Sequence, residues 1–104
     1  MTVYNKLVRD RIPEIIRQNG SECDTRTLDQ HEFQHHLKIK LKEEVAEYLD
    51  SDSVDELADI MEVLHALAAV HGVDAGELER LRQEKAEARG GFQERILLIE
   101  VDER

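Results

Sequence analysis

Apolar residues recur at helical spacing in four stretches of the chain, separated by short polar breaks. Ile12, Ile15 and Ile16 give a first helix its stripe. Asp10 is placed to cap it, Pro13 falls in its first turn where proline is tolerated, and Asn19-Gly20 ends it. The second helix opens at Asp29, which forms a capping box with Glu32, and Leu28 and Phe33 supply the hydrophobic staple. Phe33, Leu37, Leu41, Val45, Tyr48 and Leu49 then carry it to about Asp50. After the polar break Asp50-Ser51-Asp52-Ser53, a third helix starts with Ser53 or Asp52 as its cap. It runs through Val54, Leu57, Ile60, Met61, Leu64, Leu67 and Ala68 to a stop at His71-Gly72. Asp74 caps a fourth, bearing Leu78, Leu81 and Lys85, and Arg89-Gly90-Gly91 breaks it.

Two further segments read as short strands. Residues 22–28 alternate weakly, and residues 95–101 contain the β-branched run Ile96-Leu97-Leu98-Ile99-Glu100-Val101. A terminal strand needs a partner, and 22–28 is the one within this chain. The pattern therefore predicts a mainly α protein: one domain over 1–104, a four-helix core with the second and third helices antiparallel, and short β segments near 22–28 and 95–101. The apolar arc of the third helix is broader than one neighbouring helix would cover. That points to a bundle completed by dimerisation.

Composition narrows the partners. The chain has 104 residues, with 24 acidic against 14 basic side chains and a formal net charge of −10. It lacks the overall basic footprint of a nucleic-acid binder. No apolar run approaches the ~20 residues of a bilayer span, and the N-terminus has no apolar signal-peptide core. The lone Cys23 forms no intramolecular disulfide, and the expected location is the cytoplasm.

The second and third helices carry the chemistry. Glu44 with Glu47, and Glu56 with Asp59, are carboxylate pairs at i,i+3, so each pair shares a helix face. Packed side by side, the helices would bring four carboxylates together. Such a cluster repels itself unless a hard divalent cation sits within it; Mg²⁺ takes oxygen ligands and usually shares them with substrate phosphates. At ~100° per residue, Glu56 falls within about 40° of Ile60, Val63 and Leu67, inside the apolar arc. Asp59 lies at its edge beside Val70. Glu44 lies between Phe33 and Tyr48, and Glu47 beside Lys40 toward the polar side. Glu56 is therefore the embedded member, the one whose loss would affect folding. Plainer roles exist for the same residues. Glu56 could complete a capping box with Ser53, and Glu43, Glu44 and Glu47 could form a solvated face paired with Lys40 and Lys42.

Two other motifs fail on inspection. His31-Glu32-Phe33-Gln34-His35 matches the zinc-peptidase pattern, but Glu32 already belongs to the capping box and the third ligand would have to be a distant histidine such as His71. His31, His35 and His36 are expected at the surface. Asp50-Ser51-Asp52 resembles the start of a calcium loop, but Asp55 stands where glycine is needed and Met61 where glutamate is needed.

Glu43-Glu44-x-x-Glu47 followed by Glu56-x-x-Asp59 resembles the signature of the all-α NTP pyrophosphohydrolases, the MazG-like superfamily that includes phosphoribosyl-ATP pyrophosphohydrolase. The opening Tyr4-Asn5-Lys6-Leu7-Val8-Arg9-Asp10-Arg11-Ile12-Pro13 and the ending Lys85 to Phe92, with Arg95-Ile96, resemble a small single-domain house-cleaning branch. The resemblance implies Mg²⁺-dependent cleavage between the α- and β-phosphates of a nucleoside triphosphate, with Mn²⁺ as a substitute ion. The products would be the nucleoside monophosphate and pyrophosphate.

By position, Glu44, Glu47, Glu56 and Asp59 would be the metal ligands. Glu43 would act from the outer shell or orient the attacking water beside Glu44. Lys6, Arg9, Lys85, Arg89 and Arg95 are the candidate cations for the phosphates. The resemblance also implies a homodimer or a dimer of dimers. Phosphoribosyl-ATP is the alternative substrate, and a non-catalytic helical dimerisation or regulatory module is the alternative from another class. The chain has no tryptophan, and Tyr4, Phe33, Tyr48 and Phe92 are its only aromatics, so base stacking has few options.

Overall fold

The computed structural model describes residues 2–103. Its architecture is four helices in sequence: α1 over Ile12–Gln18, α2 over Gln30–Ser51, α3 over Val54–Val70 and α4 over Ala75–Arg89. Their ends follow from local chemistry. The Asp29 carboxylate accepts from the Glu32 amide at 2.8 Å, and the Glu32 side chain accepts in return from the Asp29 amide. This satisfies two of the donors that a helix start leaves open. Asp74 caps α4 through the Glu77 amide in the same way. Ser53 stands at the N-cap of α3 without using its hydroxyl there. Asp10 does not cap α1: Arg11 holds the N-cap position, with no side-chain bond, and Pro13 sits in the first turn.

The centre of the molecule is the α2–α3 hairpin. Asp52 turns the chain in the left-handed region, at φ 54°, so α3 starts directly after α2 ends. Glu44 meets Glu56 and Asp59 near this turn, and Gln30 and Phe33 line a shallow apolar groove with Ala66, Ala69 and Val70 at the far end. The two helices are therefore antiparallel, as their stripes predict. Leu37 of α2 with Val63 and Ala68 of α3 form the buried apolar centre, and α4 packs back on α3.

Among the described residues there is no strand, which corrects the expectation for 22–28 and 95–101. A strand is held by ladder hydrogen bonds, and no backbone bond joins these two segments. Arg95 turns at φ 56°, its amide donating to the Phe92 carbonyl, and residues 96–101 continue exposed without helix or strand.

The hairpin leaves much apolar surface uncovered. Val54, Leu57, Met61 and Leu64 lie on a continuous stripe of α3 facing away from the core, and Val54 is 73% exposed. Leu49, at the end of α2, is 71% exposed. The radius of gyration is 18.4 Å, against about 13 Å for a compact domain of this length. No helix among the described residues is long and apolar enough to cross a membrane.

Candidate metal centre

The carboxylates converge. Glu44, Glu56 and Asp59 each offer an oxygen within 4.8 Å of the others, and so do Glu43, Glu44 and Glu47. Glu44 belongs to both groups and links them. The geometry arises from the two i,i+3 pairs and the short turn, which sets the last two turns of α2 against the first turns of α3.

Glu44, not Glu56, is the enclosed member. Only 7% of Glu44 is exposed, whereas Glu56 is half-buried. This reverses the order read from the helical wheel. Angular position in α3 places Glu56 beside apolar neighbours, but Glu56 lies in the helix's first turn, at the hairpin's turn end next to Asp52. Glu44 lies further inside α2 and is covered by Lys40 and by α3. Burial first, and then the adjoining Glu47 carboxylate, push the Glu44 carboxyl above its ordinary value; Lys40 opposes this without cancelling it. Desolvation and then the charge of Asp59 push Glu56 up as well. Both shifts have the physical cause expected of acidic groups that lack enough positive charge nearby.

Three cations reach the cluster. Lys40 Nζ lies 3.3 Å from Glu44 Oε1 and 3.5 Å from Glu43 Oε2. Lys6 Nζ donates to the other Glu43 oxygen, Oε1, at 3.1 Å. Arg9 Nη2 donates to Asp59 Oδ1 at 2.6 Å. Burial disfavours ionisation of Glu43, but the hydrogen bond from Lys6 and the charge of Lys40 outweigh it and hold that carboxyl below its ordinary value. Glu43 is therefore ionised with a hydrogen-bond partner on each oxygen, a geometry suited to an outer-shell carboxylate.

Of the cations expected at the phosphates, Lys6 and Arg9 lie against the cluster. Lys85, Arg89 and Arg95 are exposed and form no ion pair with it among the described residues. Lys40 was missed as a functional candidate. Its spacing, three and four residues before Glu43 and Glu44, is the only signal in the sequence, and by itself it fits ordinary surface pairing. His31 and His35 are exposed and His36 half-buried, and no histidine joins a metal-competent group among the described residues.

The donor set suits a hard divalent ion. All its ligand atoms are carboxylate oxygens, gathered closely enough to share one ion, and their mutual repulsion is only partly neutralised by the chain's own cations. Soft or borderline ions prefer nitrogen and sulfur donors, which the cluster lacks.

Comparison with known proteins adds one relative. The chain is 50% identical over 50 residues to an uncharacterized protein of Mycolicibacterium smegmatis, a match covering 48% of this chain and 51% of that protein. It thus spans about half the length of the curated relative it matches. No family model matches the chain. No solved structure matches it.

Proposed function

We propose that the protein is a divalent-cation-dependent nucleoside triphosphate pyrophosphohydrolase. The observation that carries this reading is the convergence of Glu44, Glu47, Glu56 and Asp59 from two antiparallel helices around Glu44. The resemblance of the Glu43–Glu47 and Glu56–Asp59 motifs to the MazG-like signature supports the reaction class. In this reading Glu44, Glu56 and Asp59 hold Mg²⁺ or Mn²⁺, with Glu47 as an exposed fourth ligand. Bound there, the ion would neutralise the triphosphate, polarise a phosphoryl oxygen and make water more acidic.

The chain's own groups do the remaining work. Glu43 accepts a hydrogen bond from the attacking water and orients it. Lys6 and Arg9 lie on the cluster side and provide positive charge for the phosphate oxygens, with Lys85, Arg89 and Arg95 as further cations. The bond broken is the phosphoanhydride between the α- and β-phosphates, and the products are the monophosphate and pyrophosphate. Preference for modified or damaged nucleotides, with phosphoribosyl-ATP as the alternative substrate, belongs to the same proposal.

The active unit in this reading is a homodimer, in which a second copy covers the Val54, Leu57, Met61 and Leu64 stripe. The exposure of that stripe and the extended shape support it.

The test is pyrophosphate release from a panel of standard and damaged nucleoside triphosphates and phosphoribosyl-ATP, with Mg²⁺ or Mn²⁺. Release that disappears with EDTA is the expected result. No release from any substrate, together with no thermal shift on adding either ion, would leave the helical dimerisation module as the better reading.

A further inference from the structure

Residues 2–10 form no helix or strand, yet two of their side chains reach across to the carboxylate cluster. Lys6 takes one oxygen of Glu43 and Arg9 takes one oxygen of Asp59. The contacts span 37 and 50 positions of sequence, so they join an irregular N-terminal segment to two different helices. These two carboxylates are the ones whose free oxygens the proposed chemistry needs most: Asp59 as a ligand and Glu43 to orient water.

We infer that residues 2–10 are a strap that lies across the cluster in the metal-free protein and is displaced when a divalent cation binds. The inference rests on the metal-binding reading of Glu44, Glu56 and Asp59. The argument is one of competition for the same charge. The Arg9 guanidinium stands 2.6 Å from Oδ1 of Asp59, whose carboxylate offers one of the oxygens that gather within 4.8 Å of one another. A divalent ion among those oxygens would face a fixed positive charge at close range, and like charges at such separations repel. Asp59 cannot offer Oδ1 to both.

The ion pair is cheap to break. The Arg9 side chain is 54% exposed and that of Asp59 41%, and surface pairs of this kind contribute little. The backbone of the strap has no ladder or helix to hold it. Release exchanges one weak counterion for a stronger one. It also leaves Arg9 and Lys6 beside the site without carboxylate partners, available to phosphate oxygens.

The test uses the full chain. Mn²⁺ affinity is measured by calorimetry for the wild type, Arg9→Gln and Arg11→Gln. Arg11 pairs with Glu14 outside the cluster, so its variant removes the same charge without touching Asp59. Arg9→Gln is expected to bind Mn²⁺ about 2- to 5-fold more tightly than the wild type, the range an exposed ion pair supports. Arg11→Gln is expected to match the wild type. In parallel, ¹⁵N heteronuclear NOE values for residues 4–9 should fall when Mg²⁺ saturates the wild type and should already be low in a Lys6→Gln/Arg9→Gln double variant.

Equal affinities for Arg9→Gln and Arg11→Gln, or NOE values unmoved by Mg²⁺, overturn the strap. Pyrophosphate release with those negative results would leave the enzyme reading standing alone. Tighter binding and strap release without any hydrolysis would sustain the strap and sink the enzyme reading. Absence of metal binding in all variants removes both.

Discussion

Lys40 Nζ lies 3.3 Å from Glu44 Oε1, and this is the most enclosed ion pair among the described residues, with side-chain exposures of 19% and 10%. It does not fully compensate Glu44, whose carboxyl remains above its ordinary value because burial and Glu47 outweigh the lysine. A carboxylate enclosed in this way costs stability while no ion is bound.

The sign of that cost gives a first prediction. For a carboxyl whose folded-state pKa is raised, the stabilising contribution is full below the unfolded value and is lost as pH rises through the folded value. Above the ordinary carboxylate range, Glu44 therefore weighs against the fold. Glu44→Gln should melt at the same temperature as the wild type or higher without metal, and should lose the upward shift that Mg²⁺ gives the wild type. Thermal melts with and without the ion measure both. A lower melting temperature for the metal-free variant would mean that pairing with Lys40 outweighs burial.

Glu47 and Asp59 should separate by what they lose. Glu47 is exposed and opposes Glu44, so Glu47→Ala should weaken Mn²⁺ binding while leaving the metal-free melting temperature unchanged or slightly raised. Asp59→Asn should cost at least about tenfold in metal affinity, the lower end of what even outer partners of a metal site contribute. Pyrophosphate release should fall with it. Full activity in Asp59→Asn would remove Asp59 from the site.

The capping box at the start of α2 predicts an acid-labile contribution. Hydrogen bonds from Arg26 and then from the Asp29 amide lower the Glu32 carboxyl to about 2. A lowered folded-state value stabilises the fold above the unfolded value, here 4.5, and the gain is lost as pH falls toward about 2. Glu32→Gln should therefore melt below the wild type at pH 7, and the gap should close between pH 4.5 and about 2. Melting curves of both proteins across that range decide it.

Leu37 and Met61 should answer differently to substitution. Leu37 is 3% exposed at the centre of the hairpin, so Leu37→Ala should destabilise by about 2–5 kcal/mol in urea unfolding. Met61 is 56% exposed on the outer stripe of α3. Met61→Glu should leave the helix intact by circular dichroism but convert a dimeric sedimentation profile to that of a 12.0 kDa monomer. A wild type already sedimenting as a monomer would contradict the dimer proposal.

The four helices were legible because each signal is local. The Asp29–Glu32 box, Asp74 as a cap, the stop at Asn19-Gly20 and the 3.6-residue stripes depend on neighbours within one or two turns. The start of α1 was misplaced by one residue because its cap uses no side-chain bond, so Asp10 carried no information about it. The pairing of Glu44–Glu47 with Glu56–Asp59 was legible too, since a short turn between two helices leaves them little choice but to pack antiparallel.

The strands at 22–28 and 95–101 were misread for the opposite reason. β-branched composition measures fitness for a sheet, but a strand forms only where another backbone supplies the ladder, and one copy of the chain supplies none. Burial along a helix was equally out of reach: a wheel gives angle but not depth, and depth put Glu44 inside and left Glu56 half-buried beside the hairpin's turn. The sequence alone determined which residues are helical and which carboxylates share a face, because both follow from backbone geometry over a few residues. Only the tertiary structure decided which carboxylate is enclosed and which cations meet the cluster. Lys6 and Arg9 reach it across 37 and 50 positions, contacts that no local pattern encodes.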